Sequence, residues 1–226
     1  HAHAEIRGID TSAALAMPGV IAVLTGADVA ADKVGGLICG WMIHSKDGTP
    51  MRAGPHPVLA QGKVRYVGDH VAVVIADTLA QAKDAAEAIV VDYEVLPANV
   101  DTAGAQAKGA PQVHAEAPAN TVYDWHIGDK AATEAAFKAA RHVTTLDIVN
   151  NRLVPNAMEP RAAVGEYDAG NDALTLYTTS QNPHVARLVL SAFIGIAPEH
   201  KLRVIAPDVG GGFGSKIFIY AEETVC

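Results

Sequence analysis

Four glycines lie within five positions near the end of the sequence, in the run 210–214, which has Phe213 as its one other residue. The run follows a β-prone stretch, 202–206, and precedes a segment that reads as a helix from Lys216. Glycines let another molecule approach the backbone and permit positive φ, so successive N–H groups can converge on an anion. The pattern predicts an electron-rich ligand at this turn, and a tight turn without a ligand is the simpler alternative.

Spacing excludes two nucleotide-binding motifs at this turn. A P-loop needs Lys directly after Gly and then Ser or Thr, whereas Ser215 separates Gly214 from Lys216. A dinucleotide fingerprint needs glycine at its first, third and sixth positions, and the sixth position falls on Ser215 or Ile217. An enzyme that holds a nucleotide at this loop is therefore the least favoured interpretation.

A second candidate group precedes the glycine run by about thirty residues. Gln181 lies between a predicted strand and a predicted helix, where its amide can donate two hydrogen bonds to a ligand. Helix capping by Ser180, Gln181 or Asn182 is the alternative, and the residues alone favour it. Phe213 has an alternative role too, as core filler beneath the turn. Glu159 and Arg161 flank Pro160 and are expected to pair locally or brace a turn.

Composition limits the possible functions. Half of the 226 residues are apolar, and the formal net charge is −8, which excludes a nucleic-acid partner. The sequence has no apolar run of membrane-spanning length and no secretory signal. Cys39 and Cys226 match no metal or iron–sulfur spacing, and none of the ten histidines is expected to bind a metal. These features predict a cytoplasmic protein with a substantial core.

The elements that position these residues alternate between strand-like and helix-like segments, which predicts a mixed α/β fold. Thr78 with Gln81 forms a capping-box pattern at one helix start, and Asp129 is a good N-cap for another. Strands are predicted at 4–10, 20–24, 67–76, 91–95, 121–127, 142–149, 162–168, 173–179 and 202–206, and helices at 11–17, 78–90, 129–141, 183–194 and from 216 onwards.

Three longer segments organise these elements. Residues 67–95 form a β-α-β-like unit, and residues 35–62 form an irregular loop rich in Gly, Pro and His. Residues 97–120 are rich in Ala, Gly and Pro and are predicted to be a surface linker between two α/β units. We expect limited proteolysis to cut this linker first.

Four segments in order resemble the molybdenum hydroxylases, the family of xanthine dehydrogenase, aldehyde oxidase and the large chain of aerobic carbon monoxide dehydrogenase. Residues 208–216, Asp-Val-Gly-Gly-Gly-Phe-Gly-Ser-Lys, resemble the family's glycine-phenylalanine loop. Residues 178–184 resemble its Ser/Thr-Gln segment, and residues 156–163 resemble the Met-Glu-Pro-Arg segment of the carbon monoxide dehydrogenase-like branch. Residues 64–97, from Val-Arg-Tyr-Val-Gly to Tyr-Glu-Val-Leu-Pro, resemble the hammerhead domain.

The resemblance implies a specific mixed α+β architecture. An a/b hammerhead domain would occupy residues 1–97, a linker residues 98–120, and the first part of a molybdopterin-binding domain residues 121–226. The chain is expected to be the N-terminal portion of a longer large subunit. The alternative is a complete, non-catalytic binding or assembly module whose glycine turn binds a small anion, and the reading frame beyond Cys226 distinguishes the two.

The resemblance also implies a cofactor and a reaction. A molybdenum–molybdopterin cofactor would contact Gln181, Gly211, Gly212, Phe213 and Gly214. The Gln181 amide would donate to one oxygen ligand of the metal, and the N–H groups of Phe213 and Gly214 to another. The full-length enzyme would oxidise carbon monoxide, an aldehyde or an N-heterocycle with water as the oxygen donor.

One position favours a particular branch of the family. Ile217 stands where the xanthine dehydrogenase branch has a glutamate that contacts the purine, so purine hydroxylation loses support. Ser215 and Ile217 fit the carbon monoxide dehydrogenase-like branch better.

Partners follow from the same resemblance. They would be an iron–sulfur subunit and an FAD subunit, assembled as a homodimer of heterotrimers. The proton-abstracting glutamate would lie beyond Cys226, so no catalytic residue is assigned here. The piece ending at Cys226 is expected to lack both activity and cofactor.

Overall fold

Three small β-sheets organise the chain in the computed structural model, which describes residues 1–150 and 153–226. In the first sheet, β1 (Ala4–Asp10) pairs antiparallel with β3 (Lys63–Val64) and with β5 (Val90–Val95). In the second sheet, β2 (Val20–Thr25) pairs antiparallel with β4 (Ala72–Ala76). The helices of this half are α1 (Ser12–Leu15), α2 (Gly26–Ala31) and α3 (Leu79–Glu87).

The third sheet positions the candidate site. Strand β7 (Ala173–Thr178) pairs antiparallel with β6 (Ala163–Asp168) and parallel with β8 (Leu202–Ile205). The crossover between β7 and β8 contains α5 (Pro183–Val189) and a π-helical turn at Leu190–Ile194. Parallel neighbours end at the same edge of a sheet. The segments that follow β7 and β8, which carry Gln181 and the glycine run, therefore meet at that edge.

Two predicted helix starts are confirmed. The Thr78 hydroxyl accepts a hydrogen bond from the Gln81 N–H at 3.3 Å at the start of α3. The Asp129 carboxylate accepts from the Ala132 N–H at 3.0 Å at the start of α4 (Lys130–Ala139). Such caps satisfy N–H groups that have no partner inside the helix. None of the helices in the described part of the chain combines the length and apolar character needed to cross a membrane.

Two predicted strands are wrong. Residues 121–127 and 142–149 have β-prone sequences but form no strand, and residues 123–150 are exposed throughout. A β-prone segment becomes a strand only where a neighbouring strand completes its hydrogen bonds. Among the described residues, no strand pairs with either segment.

Three further differences concern local units. The predicted β-α-β unit is wrong, because β4 and β5 belong to different sheets. The helix predicted from Lys216 begins five residues later, as α6 (Ala221–Val225). Helix α2 was missed, although a Thr25–Asp28 capping box marks it: the Thr25 N–H and hydroxyl both donate to Asp28 Oδ2.

Among the described residues, four apolar clusters form the core, and two of them join the two halves of the chain. In one of these, Ala221 of α6 packs with the buried residues Val29, Val58 and Leu59. The cluster beneath the third sheet contains the buried residues Leu176, Val189, Leu190, Ile194 and Leu202. Helix α6 therefore packs within this chain, against residues of its N-terminal half.

A buried carboxylate lies beside α6. Glu223 accepts hydrogen bonds from the Tyr220 N–H at 2.9 Å and from the Thr178 hydroxyl at 3.3 Å. Burial raises the pKa of Glu223, with a smaller contribution from neighbouring Glu222, although the Tyr220 hydrogen bond opposes the shift. A carboxyl group with a raised folded-state pKa weakens the fold as pH rises from its unfolded pKa through its folded pKa.

We expect Glu223→Gln to stabilise the chain near pH 7 and to lose that advantage as pH falls through the raised folded-state pKa towards about 4.5, below which the wild-type carboxyl is protonated in both states. Urea midpoints measured from pH 4 to pH 8 test this expectation. A variant that is equally destabilised at every pH would show that the charge on Glu223 carries no cost.

The predicted linker is held by side-chain hydrogen bonds. The Asn120 side chain accepts from the Val113 N–H and donates to the carbonyl oxygens of Ala105 and Pro111, each at 2.9 Å. Residues 141–150 differ, because they are all exposed and contain no helix or strand. The two segments should therefore resist local unfolding to different extents.

We now expect trypsin to cut after Arg141 before it cuts after Lys108 inside the linker, because a protease needs a locally opened backbone. Mass spectrometry of early digestion products reports the order. Asn120→Ala should accelerate the cut after Lys108 and leave the cut after Arg141 unchanged. A first cut after Lys108 in the wild-type chain would restore the expectation drawn from composition.

Candidate functional site

Three consecutive N–H groups in the glycine run have no hydrogen-bond acceptor among the described residues. They belong to Gly211, Gly212 and Phe213. Gly211 has φ +98° and Phe213 has φ +51°, and backbones that turn in this way form concavities in which successive N–H groups face an anion. The run therefore offers a cluster of free donors without any side chain from its glycines.

Phe213 adopts a strained backbone conformation. A positive φ costs a residue other than glycine about 1–2 kcal/mol, and the side chain gains little burial in return, because 76% of Phe213 is exposed. The alternative in which Phe213 fills the core beneath the turn is therefore wrong. Strain retained at an exposed aromatic residue favours a functional role over a packing role.

Gln181 lies directly against the glycine run. Its side-chain Oε1 accepts hydrogen bonds from the backbone N–H groups of Gly214 at 3.1 Å and Lys216 at 3.3 Å. The backbone N–H of Gln181 donates to the Lys216 carbonyl at 2.8 Å. A Cβ atom at Gly212 would lie 2.4 Å from Gln181 Oε1. The close approach therefore requires glycine at position 212.

The amide orientation of Gln181 determines which donors remain free. Gly214 and Lys216 both donate, so the atom that faces them must be the oxygen, and Nε2 faces away from them. No described residue accepts a hydrogen bond from Nε2. The structure differs from the implied donor set at Gly214, because its N–H is used by Gln181. The free donors are Gln181 Nε2 and the amides of residues 211–213.

The other side of the glycine run is held by an ion pair. Glu159 Oε2 accepts from the Gly210 N–H at 2.8 Å and from Lys216 Nζ at 2.8 Å, and Lys216 Nζ also donates to the Glu159 carbonyl at 2.8 Å. The Lys216 side chain is only 1% exposed, whereas that of Glu159 is 34% exposed. We call this group the Glu159–Lys216 clamp. Glu159 therefore holds both Gly210, at the start of the run, and Lys216, two residues after its end.

Of the two alternatives expected for Glu159 and Arg161, the local pair is wrong, whereas Glu159 does brace a turn, because its carboxylate accepts from the Gly210 N–H. Glu159 pairs with Lys216, and Arg161 pairs instead with Glu222 at 2.6 Å and stacks on the Tyr220 ring at 3.7 Å. Neither long-range partner is adjacent in sequence, so no local pattern identifies it.

The clamp is charged at neutral pH. The Lys216 hydrogen bond, followed by that of the Gly210 N–H, lowers the pKa of Glu159. A carboxyl group with a lowered folded-state pKa stabilises the fold above its unfolded pKa of about 4.5 and loses that contribution as pH falls through the folded value. The clamp is therefore intact at physiological pH and weakens only in acid.

An apolar cavity of about 440 Å³ is lined in part by residues 217–219, which follow the glycine run in sequence. It lies between the loop that carries Trp41 and helix α5, and Ile217 reaches it from the segment after Lys216. No charged side chain lines it. The lining residues are Ile38, Gly40, Trp41, Val185, Val189, Ile217, Phe218 and Ile219.

The site supplies hydrogen-bond donors and an apolar wall. Within residues 1–150 and 153–226, no three His, Cys, Asp or Glu side chains are grouped to hold a metal ion.

Comparison with known proteins gives two family matches that together cover most of the chain. Residues 1–97 match the aldehyde oxidase and xanthine dehydrogenase a/b hammerhead domain. Residues 113–226, half of the chain, match the molybdopterin cofactor-binding domain. The two matches occur in the order that the four sequence segments imply.

Individual relatives agree with these matches. The carbon monoxide dehydrogenase large chain of Afipia carboxidovorans is 40% identical over 98% of this chain. The nicotine 6-hydroxylase large subunit of Paenarthrobacter nicotinovorans is 35% identical, also over 98%. The solved structure of quinoline 2-oxidoreductase from Pseudomonas putida 86 superposes with a TM-score of 0.83 and 35% identity over 99% of this chain.

This chain spans about a quarter of each relative's length: 27%, 26% and 27%, in the same order. The predicted resemblance and mixed α/β fold are confirmed. The chain belongs to the molybdenum hydroxylase family of aldehyde oxidases and xanthine dehydrogenases, with a hammerhead domain followed by part of a molybdopterin cofactor-binding domain.

Proposed function

We propose that this chain forms part of the large subunit of a molybdenum-cofactor oxidoreductase and that the glycine run binds the cofactor. The observation that carries the proposal is the set of free donors at one sheet edge: the amides of Gly211, Gly212 and Phe213 and the Nε2 of Gln181. A cofactor rich in oxygen atoms fits such a set. Gly214 contributes space, because a Cβ there would meet no atom within 4 Å.

The chain's own residues would act by orienting and by stabilising charge. When bound, molybdopterin supplies a metal that accepts electrons and activates water as the oxygen donor. Fixed N–H donors stabilise negative charge that develops on oxygen without reorganising during the reaction. Gln181 is held for this role by Gly214 and Lys216, and the run is held by the Glu159–Lys216 clamp.

Proton abstraction is assigned to a residue outside this chain. Glu159, whose carboxylate contacts the glycine run, is hydrogen-bonded to Lys216 and to the Gly210 N–H and has a lowered pKa. A group held ionised in this way is a weak base. This chain alone is therefore proposed to be inactive, and the base belongs to the longer protein.

The apolar cavity lined by residues 217–219 supports an uncharged substrate. By the family resemblance, Ile217 stands where the xanthine dehydrogenase branch has its purine-contacting glutamate. Carbon monoxide, aldehydes and N-heterocycles are small and uncharged and suit this wall, whereas purine loses the polar partner that would orient it. Relatives named for carbon monoxide and quinoline fall within this range.

The assembly is proposed by analogy with relatives that are named large chain or large subunit. The partners would be an iron–sulfur subunit and an FAD subunit, arranged as a homodimer of heterotrimers in the cytoplasm. Within the chain, we propose domains at residues 1–97 and 121–226 joined by the linker 98–120.

Isotope labelling of the full-length enzyme tests the reaction. With an N-heterocycle as substrate and ¹⁸O-labelled water as solvent, the hydroxylated product should gain one ¹⁸O atom. Carbon monoxide and an aldehyde are assayed for oxidation alone, because carbon dioxide and aldehydes exchange oxygen with water without an enzyme. The same assay with labelled dioxygen in ordinary water should give unlabelled product. Label arriving from dioxygen, or no oxidation of any of these substrate classes, would contradict the proposed function.

A further inference from the structure

A second cavity, of about 320 Å³, lies in the N-terminal half and is lined by no residue of the glycine run. Its lining is basic in a protein whose net charge is −8. The lining residues that titrate or carry charge, cysteine and tyrosine aside, are Arg52, His56, Lys63, Arg65, His114 and one carboxylate, Asp69. Three cationic side chains against one carboxylate leave a net charge of +2 when the imidazoles are neutral.

These cations are poorly matched by protein acceptors. No hydrogen bond or ion pair joins the guanidinium of Arg52 or Arg65 to another residue in the described ranges, whereas Arg7, Arg161 and Arg187 are all paired with carboxylates. Lys63 Nζ has only a distant contact with Glu5, at 3.8 Å. The exposed residues Arg141 and Arg203 also lack an ion pair within the described ranges, but Arg52 and Arg65 are the two such arginines that line one cavity.

Two buried nitrogen atoms at this cavity have no hydrogen-bond partner among the described residues: Arg65 Nε and His114 Nδ1. Leaving a buried polar atom unpaired destabilises the folded chain. Asp69 does not relieve the Arg65 guanidinium, because its Oδ2 accepts from the Arg65 backbone N–H at 3.0 Å. An acceptor that enters the cavity would relieve both atoms together.

His114 lies in the field of these charges. Burial lowers its pKa, Arg65 lowers it further, and His56 and His3 act in the same direction against the opposing effect of Glu116. The imidazole is pressed against the backbone, since a Cβ at Gly54 would lie 2.3 Å from His114 Nδ1. A bound anion would reverse the effect of Arg65 and raise the pKa of His114.

We propose that this cavity binds a phosphoryl group, either as inorganic phosphate or as the end of a small phosphomonoester. A phosphate dianion matches the net charge of +2, and its oxygens accept paired hydrogen bonds from guanidinium groups. The volume exceeds what inorganic phosphate alone fills, which favours a ligand with a small organic portion. This site is independent of the proposed cofactor site, so either proposal can fail alone.

Calorimetric titration of the full-length protein tests the proposal, with inorganic phosphate and glycerol 3-phosphate as probes at constant ionic strength. We expect saturable binding of at least one probe at one site per chain and no binding of chloride. Tighter binding of glycerol 3-phosphate identifies the ligand as a phosphomonoester, and tighter binding of phosphate identifies the free ion.

Arg52→Gln and Arg65→Gln should each weaken binding at least tenfold, because each removes a charge-assisted hydrogen-bond donor. Arg203→Gln, at an exposed arginine outside the cavity, is the matched control and should bind as the wild type does. Arg52 is exposed, so its variant keeps the test decisive if Arg65→Gln fails to fold. The proposal would be overturned if neither probe binds, including the case in which another part of the full-length protein fills the cavity. It would also be overturned if both variants bind with the affinity of the wild type.

Discussion

Gln181→Ala should lower the turnover of the full-length enzyme by about a hundredfold to a thousandfold, roughly the 3 kcal/mol of barrier that one preorganised donor to a developing oxyanion supplies. The variant removes the free Nε2 donor and also the Oε1 acceptor that holds the N–H groups of Gly214 and Lys216. Steady-state rates per bound molybdenum give the effect on turnover, and molybdenum analysis gives the effect on cofactor retention separately.

The control for this prediction is Gln106→Ala. Gln106 is an exposed glutamine whose single side-chain hydrogen bond, to Thr121, lies outside the site. Its rate per molybdenum should remain at the wild-type value. If Gln181→Ala loses no more activity than this control, or if its loss follows entirely from a lower free energy of unfolding, Gln181 is a structural residue only.

Lys216→Met should lower the free energy of unfolding by about 2–3 kcal/mol. Breaking a fully buried ion pair typically costs 3–5 kcal/mol, and the cost should be smaller here because Glu159 is partly exposed and water can solvate it. Methionine retains most of the side-chain volume, so the change reports the lost charge and its hydrogen bonds. Urea unfolding with a constant m-value is the measurement.

Lys130→Met provides the comparison for the clamp. Lys130 forms an exposed pair with Glu134 at 3.6 Å on helix α4, and such pairs contribute less than about 1 kcal/mol. The double variant Glu159→Gln/Lys216→Met should recover part of the loss, since no unpaired carboxylate remains. A Lys216→Met effect as small as that of Lys130→Met would show that the clamp contributes little to the fold.

Local signals in the sequence predicted local structure correctly. The caps at Thr78 and Asp129 act within three residues of themselves, so they are visible in sequence and are found in the structure. The strands expected at 121–127 and 142–149 depend on a pairing partner that propensity does not supply.

The candidate site likewise has features that the sequence predicted and features that it did not. The order of segments identified the family, and parallel pairing of β7 with β8 explains why Gln181 and the glycine run meet. The Glu159–Lys216 clamp joins residues 57 positions apart, so no local pattern predicts it. The use of the Gly214 N–H by Gln181 depends on the orientation of one side-chain amide, which no sequence pattern specifies.

The most direct test of the proposed site is crystallographic. Diffraction data from the full-length protein, purified with its cofactor and collected at the molybdenum absorption edge, locate the metal without assumptions about its ligands. We expect one anomalous peak per large subunit at the sheet edge formed by Gln181 and residues 211–213. A peak elsewhere in the subunit, or active enzyme crystals with no molybdenum peak, would contradict the proposal that this glycine run binds the cofactor.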